Sequence, residues 1–392
     1  MKTQRFILIG NYPPDGQESM LRFTELLARG LRSRGITVEI WNPRPVLLGS
    51  NLNFPKSLRK WLAYVDKWIL YPFSLRRAVR KTRRAFGDGV RFHVCDHSNS
   101  PYLAQLPKNR SAITCHDVLA IRGALGDATA YCQASRMGVI LQKWILKHLR
   151  GAQRIACVSN LTLRHLREVT GESQPGWKVV HNAFNAEFSR VETGEAIGIL
   201  KQKGISVPQP FLLHVGSNLP RKNRRMLLQM IKQGNHSWPG NICFAVDVVE
   251  APLAEEARAL GIHDRIHSVV KPDHETLCAL YSLADALVFP SFSEGFGWPL
   301  IEAQACGTPV IASNLEPLPE VTGGAALHAD PHAPQAFAAA LVKLNEAGVR
   351  KSLIEQGLKN AGRFGVARMI DGYLALHELN AASFASAAGQ NP

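Results

Sequence analysis

Two glutamates eight positions apart, Glu294 and Glu302, flank the run "GFGWP" in the stretch "SEGFGWPLIEAQACGTPVIAS". Gly295 and Gly297 lack a Cβ and let backbone amides come close to a ligand. Pro299 suits the first turn of a helix, where its missing N–H costs nothing. The free N–H groups and positive dipole end of that helix favour an anion such as a phosphate. Glu302, one turn in, can reach ligand hydroxyls. Two Glu at this gap arise often by chance and would then be two surface carboxylates. The glycines, the proline and the following turn and apolar run, "CGTPVIAS", single this pair out. A second stretch, "HVGSNLPRKNRRML", ends an apolar run at Gly216 and places Arg221 and Lys222 in the turn before the next helix. A guanidinium clamps phosphate oxygens in a fork and an ammonium adds a point charge. Alone, such a pair is ordinary solvated surface; beside the glutamate loop it can meet the same anion.

Both stretches need strands behind them. "RFILIGNY", the helix-period run "SMLRFTELLARGLRSRG" and "ITVEIWN" open the chain as a βαβ unit, which favours a parallel sheet. "RFHVCD", "SAITCHD", "RIACVSN" and "WKVVHNAFN" continue the series. In open α/β sheets ligands gather at the carboxyl ends of strands. Those ends carry Asp96-His97, His116-Asp117, Ser159-Asn160 and His181-Asn182. Residues 186–208, with weak periodicity, are expected to be a linker. A second α/β series follows from "PFLLHVGS" to "TPVIAS", with Glu294 just past the strand "ALVFPS". A helical stretch from about Pro334 to Leu379 is expected to break at Gly348 and near Gly362–Gly365. The tail, residues 381–392, is small and polar, the composition of a disordered end.

At 392 residues the chain is too long for one ordinary core, so two domains are expected. Its 46% apolar and 20% charged content is that of a soluble globular protein. The first apolar run, Phe6 to Ile9, is too short for a signal-peptide core, and no later run approaches a spanning helix. Seven scattered cysteines without a C-x-x-C pair fit reduced thiols better than a disulfide frame or zinc site. A cytoplasmic location follows. Residues 1–150 hold 25 Lys and Arg against nine Asp and Glu, while the rest holds 21 against 22, so the first part carries the whole net charge of +15. Such asymmetry points to an anionic partner (membrane surface, nucleic acid or acidic substrate) or simply to a basic solvated face.

With "GSNLPRKN", "ALYSLADALVFPSFSEGFGWPLIEAQACGTPVIAS" and "LPEVTGGAALHADPHAPQAFAAAL", the C-terminal half resembles the retaining glycosyltransferases of family 4. The N-terminal half matches through "GNYPPDGQESMLRF", "TCHD" and "VSNLT". The resemblance implies an α/β chain of GT-B fold, two Rossmann-like domains facing across a cleft. Residues 1–185, joined by a C-terminal helix at about 366–383, would bind the acceptor. Residues 186–365 would bind a UDP- or GDP-linked sugar. The implied reaction moves the sugar to a glycan or lipid-linked acceptor in cell-surface polysaccharide or glycolipid assembly. Arg221 and Lys222 would bind the donor diphosphate, Glu302 the ribose hydroxyls and Glu294 the transferring sugar. Backbone amides at Phe296 and Gly297 would touch sugar or phosphate, with Gly16 and Gly216 allowing close approach. His116 would sit near the sugar's C6 side and the acceptor; the alternative is a capping or core histidine. The chain departs from the family in having one glycine, Gly16, where many members have two, and His181-Asn182-Ala183-Phe184 where "NG" is usual.

A nucleotide sugar has a good leaving group, so catalysis must stabilise charge growing on the diphosphate. No D-x-D triplet occurs, so metal-independent transfer without a cofactor is expected. No double-displacement nucleophile is evident, which favours same-face attack. The segment "KSLRKWLAYVDKWILYPFSLRRAVRKTRRAF", residues 56–86, spaces Trp61, Tyr64, Val65 and Trp68 at i, i+3, i+4, i+7. Pro72 is expected to break or kink this helix. The basic cluster Arg76, Arg77, Arg80, Lys81, Arg83 and Arg84 follows it. Together they read as an interfacial segment docking on an anionic membrane, at the inner face of the cell membrane. The alternative is an aromatic face packed on the domain core. Competing functions are a non-catalytic membrane- or nucleic-acid-binding protein and a sugar-nucleotide epimerase; the favoured reading involves no nucleic acid.

Overall fold

A computed structural model describes residues 4–49, 55–233 and 238–380. The chain divides into two compact units: Met1–Asp127, Cys132–Asn185 and Val366–Pro392 form one, and Ala128–Tyr131 with Ala186–Gly365 the other.

The first unit is built on six parallel strands, β1 (Arg5–Ile9), β2 (Thr37–Trp41), β3 (Val90–Val94), β4 (Ser111–Cys115), β5 (Ile155–Cys157) and β6 (Trp177–Val179), in the order β2-β1-β3-β4-β5-β6. β1 reads as a nearly unbroken apolar run because helices cover both faces of such a sheet; Phe6 to Ile9 are all buried. Helix Glu18–Arg32 turns Phe23, Leu26, Leu27 and Leu31 inward, a spacing that makes one apolar stripe. Helix Val366–Leu376 packs on it, and Gly30 is what permits the approach: a Cβ there would lie 2.5 Å from Ile370 Cδ1. Arg34 pairs with Asp371 at 2.8 Å, and the Tyr373 hydroxyl is 2.9 Å from that of Thr114. The helix stops at Leu376, short of the expected 383, and Glu378 leaves helical geometry at φ 59. Residues 381–383 and the tail to 392 lie outside the described residues.

The second unit has β7 (Phe211–Gly216), β8 (Asn241–Val246), β9 (Ile266–Val270), β10 (Ala286–Phe289), β11 (Val310–Ser313) and β12 (Leu327–Ala329), all parallel, in the order β12-β11-β10-β7-β8-β9. The chain steps outward from β7 to β9, then resumes at β10 on the other side of β7. The direction therefore reverses between β7 and β10, the kind of switch point beside which open α/β sheets bind ligands. In the first unit it reverses between β1 and β3.

Three local expectations need correction. Residues 186–208 are not all linker: helix Thr193–Gln202 forms there, its N–H groups at Gly194 and Glu195 capped by the Glu192 carboxylate, with Ala196, Ile199 and Leu200 buried. The break expected at Gly348 falls at Asn345–Glu346 instead, and Gly348 lies in the first turn of helix Ala347–Ala361, where no intrahelical N–H bond is lost. Pro72 does not break its helix. Lys56–Val65 and Tyr71–Phe86 run on through a wide turn, Asp66–Leu70, in which the Tyr71 N–H donates to the Asp66 carbonyl. The extra residue in that turn makes room for the proline ring and its missing donor.

Candidate active site

In the second unit, the loops after β7 and β10 meet at the switch point. β7 ends at Gly216, and a single turn, Pro220–Lys222, leads to Asn223 at φ 51. Asn tolerates this left-handed geometry, and its side-chain amide donates to the carbonyls of Pro290 and Pro331 at 3.1 and 2.9 Å. The β7 loop is thereby tied to the ends of β10 and β12. The Phe292 N–H donates to the Arg221 carbonyl at 2.8 Å, and Arg221 Nη1 returns a bond to the Ser293 carbonyl at 3.0 Å. At Gly216 a Cβ would crowd His214 Nε2 at 3.2 Å, while the Lys222 stem runs past at ordinary contact distance.

The result is a closed ion cluster. Arg221 Nη1 lies 2.8 Å from Glu294 Oε2 and Lys222 Nζ 2.7 Å from Glu294 Oε1. Lys222 Nζ also sits 4.8 Å over the Phe289 ring, a favourable cation–π distance. Glu294 is only 7% exposed. Burial by itself would raise its carboxyl, but the charges of Lys222 and Arg221 outweigh this and hold it down at about 2. Burial, with Arg221 nearby, pulls Lys222 below the usual lysine range, while Glu294 opposes that fall. Three ionised groups thus share a largely desolvated corner.

Glu302 lies one turn into helix Trp298–Ala305, whose N-cap Gly297 sits at φ 102. Only glycine adopts that geometry readily, and a Cβ there would crowd Leu300 and Leu318 at 3.2 Å. Pro299 occupies the first turn. The Tyr281 hydroxyl donates to Glu302 Oε2 at 2.8 Å and so fixes the carboxylate. Phe296 is buried, its ring edge-on to Phe364 at 5.7 Å. Among the described residues there is no group of three or more His, Cys, Asp or Glu placed to hold a metal ion.

Asn223 and Tyr281 were not singled out by sequence reading. The left-handed Asn closing a tight turn has a signal, an Asn directly after "PRK"; Tyr281 has none, because its partner lies 21 residues away.

In the first unit, His116 follows β4. Its Nε2 is 2.9 Å from the Cys95 carbonyl, which can only accept, so Nε2 carries the proton and Nδ1 is the acceptor. Burial lowers the His116 pKa, with Asp96 acting against it. Its ring stands edge-on to Phe23 at 4.6 Å. Asp96, after β3, accepts from Asn11 Nδ2 at 2.6 Å and from the Ser98 hydroxyl at 2.7 Å. Burial raises Asp96, but His97 at 3.2 Å outweighs this and the carboxyl is held well below its usual range. Gly16 is left-handed at φ 66, and its N–H closes a turn onto the Pro13 carbonyl at 3.1 Å rather than pointing outward.

The segment 56–86 divides its aromatic residues between two environments. Tyr71 is buried, and Trp68 packs on Tyr102 and Trp144 at 5.3 and 5.2 Å, so both belong to the core side. Lys67 is engaged with Asp15 at 2.7 Å. Trp61 and Phe73 are 57% and 72% exposed, and Phe73 shares a concave surface with Arg76, Arg77, Arg80, Lys81 and Arg84. The side chain of Lys56 lies outside the described residues. No described helix is long and apolar enough to cross a membrane.

The profile of "Glycosyl transferases group 1" matches residues 198–360 and that of "Glycosyltransferase Family 4" residues 20–188. O-antigen chain mannosyltransferase B of Escherichia coli is 36% identical over 242 residues, which are 57% of this chain and 60% of that protein. The chain thus spans less than two thirds of this relative's length. A sucrose-phosphate synthase from Thermosynechococcus elongatus superposes with a TM-score of 0.71 at 19% identity, covering 98% of this chain and 100% of that one. Anabaena HepE, solved with UDP and glucose, gives 0.65 at 17% identity, covering 95% and 98%. At these identities the likeness concerns the fold, the two-domain α/β arrangement called GT-B. With one profile on each unit and the ion cluster and Glu302 within the second match, the chain belongs to the family 4 glycosyltransferases.

Proposed function

We propose that this chain moves a sugar from a nucleoside-diphosphate donor to a glycan or lipid-linked acceptor, with retention of configuration, in the assembly of cell-surface polysaccharide. The observation that carries this reading is the Arg221–Lys222–Glu294 cluster at the β7/β10 switch point, with Glu302 one turn inside the adjoining helix. A diphosphate bound here meets two cations and a helix N-terminus, which stabilise the charge that grows as the bond to the anomeric carbon breaks. Glu302, held by Tyr281, accepts from the ribose hydroxyls, and Glu294 faces the transferring sugar. The acceptor oxygen attacks the anomeric carbon on the face the diphosphate leaves, and the departing phosphate oxygen takes its proton. His116, neutral and with Nδ1 as acceptor, is assigned to the acceptor side of the sugar. No step requires a metal ion.

The named relative adds mannosyl units to an O-antigen chain, and HepE holds UDP and glucose; both support a hexosyl donor and a glycan acceptor. The exposed Trp61 and Phe73, with the arginines beside them, support attachment to an anionic membrane surface where a lipid-linked acceptor resides.

The test is a thermal-shift screen with UDP, GDP and their sugar conjugates, followed by a transfer assay in EDTA. A nucleotide at 100 times its Kd should stabilise the chain by roughly 2.7 kcal/mol, and transfer should continue in the chelator. The absence of a shift with every nucleotide would overturn the reading, and activity lost in EDTA and restored by Mg²⁺ would overturn its metal independence.

A further inference from the structure

The second unit contains a cavity of about 880 Å³ that the reaction described above does not use. It lies between helix Arg225–Gln233 and helix Ala251–Ala259, and Phe292 and His332 close one end. The turn Pro220–Lys222 contributes to both places: Pro220 lines the cavity, while Arg221 and Lys222 hold Glu294. Phe292 lines the cavity and is bonded through its N–H to the Arg221 carbonyl. A ligand here would therefore rest against the loop that carries the ion cluster.

The lining says what chemistry it would take. Two guanidinium groups, Arg224 and Arg225, stand against three carboxylates, Glu250, Glu255 and Glu256. Arg224 is already paired with Glu250 at 2.9 Å and Arg225 with Glu256. No positive excess remains to select a phosphate or a carboxylate. Glu255 has no ion pair among the described residues and is exposed. Carboxylates that accept beside guanidinium and amide groups that donate suit a neutral ligand bearing many hydroxyls. Arg224 is 4% exposed, with its guanidinium 4.5 Å over the Phe244 ring and its unpartnered Nε and Nη2 buried beyond the reach of the cavity, so it forms wall rather than a contact for the ligand. Phe292 is stacked on by both Tyr131 and His332 at 4.8 Å, so the apolar side of the ligand would find the exposed His332 ring and the exposed Leu219. A flat ring beside polar groups matches a sugar ring, which has an apolar C–H face and a polar rim. The volume falls in the upper part of the roughly 300–1,000 Å³ range of ligand clefts, more than one sugar ring fills.

We propose that this cavity is a glycan subsite, holding a neutral oligosaccharide that belongs to the acceptor chain. The assignment to the acceptor rests on the transfer reading above; the binding of a neutral glycan does not.

The test uses α-linked mannotetraose and maltotetraose as probes, with mannose as the short control, in saturation-transfer NMR and calorimetry on the full chain. One tetraose should bind at least tenfold more tightly than mannose. The double variant Glu255→Gln/His332→Ala, both exposed positions, should weaken it at least tenfold while leaving the nucleotide-induced thermal shift unchanged. No binding of either tetraose to the wild-type chain would overturn the proposal, as would binding indifferent to the double variant. Tetraose binding in a chain that shows no nucleotide shift would keep the glycan site and defeat the transfer reading.

Discussion

Replacing Glu294 by Gln removes the charge that buried Lys222 and half-buried Arg221 share while keeping nearly the same shape. The Glu294 carboxyl lies at about 2 in the folded chain, against an ordinary 4.5. At about 1.4 kcal/mol per unit, that depression corresponds to about 3 kcal/mol of stability. The folded chain binds this proton less readily than the unfolded one. The contribution is therefore complete above about pH 4.5, shrinks as pH falls, and is gone below about pH 2. Glu294→Gln should accordingly be less stable than wild type by about 3 kcal/mol at pH 7, and the gap should narrow between pH 4.5 and the most acid point at which the fold survives. For a unit of this size the neutral-pH gap corresponds to roughly 6–12 °C in melting temperature. Calorimetry of both proteins from pH 7 to pH 3 reads it directly. A nucleoside diphosphate should recover more stability in the variant than in wild type, because its phosphates replace the missing countercharge. An equal melting temperature at neutral pH, or a gap that does not change through the acid range, would refute the claim that Glu294 is held ionised by Arg221 and Lys222.

Lys222→Ala should lower kcat by about 10²–10³, the usual loss when a donor to a developing oxyanion is removed; wild-type turnover would take Lys222 out of the reaction. Tyr281→Phe leaves Glu302 without its fixing donor and should raise the Kd for the nucleoside diphosphate about tenfold, as expected for a hydrogen bond to a charged group; an unchanged Kd would count against a ribose role for Glu302. Arg76, Arg77 and Arg80 replaced together by Ala should cost about 3 kcal/mol of binding to anionic liposomes, at about 1 kcal/mol each; equal, negligible sedimentation of the wild-type chain with anionic and neutral vesicles would point instead to a soluble acceptor.

The strands of both sheets, β12 apart, were legible because each is a short apolar run ending in polar residues, as in "PFLLHVGS" and "ALVFPS". Their lateral order was not. Hydropathy cannot show that β10, which follows β9 in the chain, lies beside β7, and that adjacency is what brings Lys222 within 2.7 Å of Glu294. The three-residue β12 and helix Thr193–Gln202 were missed for a related reason. Each presents too few apolar positions to stand out, and each is made regular by what it packs against. Segment 56–86 shows the opposite limit. Its helical period was plain, but spacing alone could not tell that Trp68 meets Tyr102 while Phe73, five residues on, faces outward. The wide turn Asp66–Leu70 shifts the register between them.

The internal pairing of the site bears on how a ligand would be held. Sequence reading directed Arg221 and Lys222 to the phosphates of a donor and Glu294 to its sugar. The structure adds that Arg221 and Lys222 are both ion-paired with Glu294. Burial pulls the Lys222 pKa down, and the Glu294 carboxylate opposes that fall and so favours the charged ammonium. On the proposed function, a diphosphate would compete for the same two cations, and as they turned toward it the Glu294 carboxylate would be released to accept from sugar hydroxyls. The site's affinity would then be the difference between two sets of ion pairs, which would leave the cations poised for the moment when the leaving phosphate carries its greatest charge.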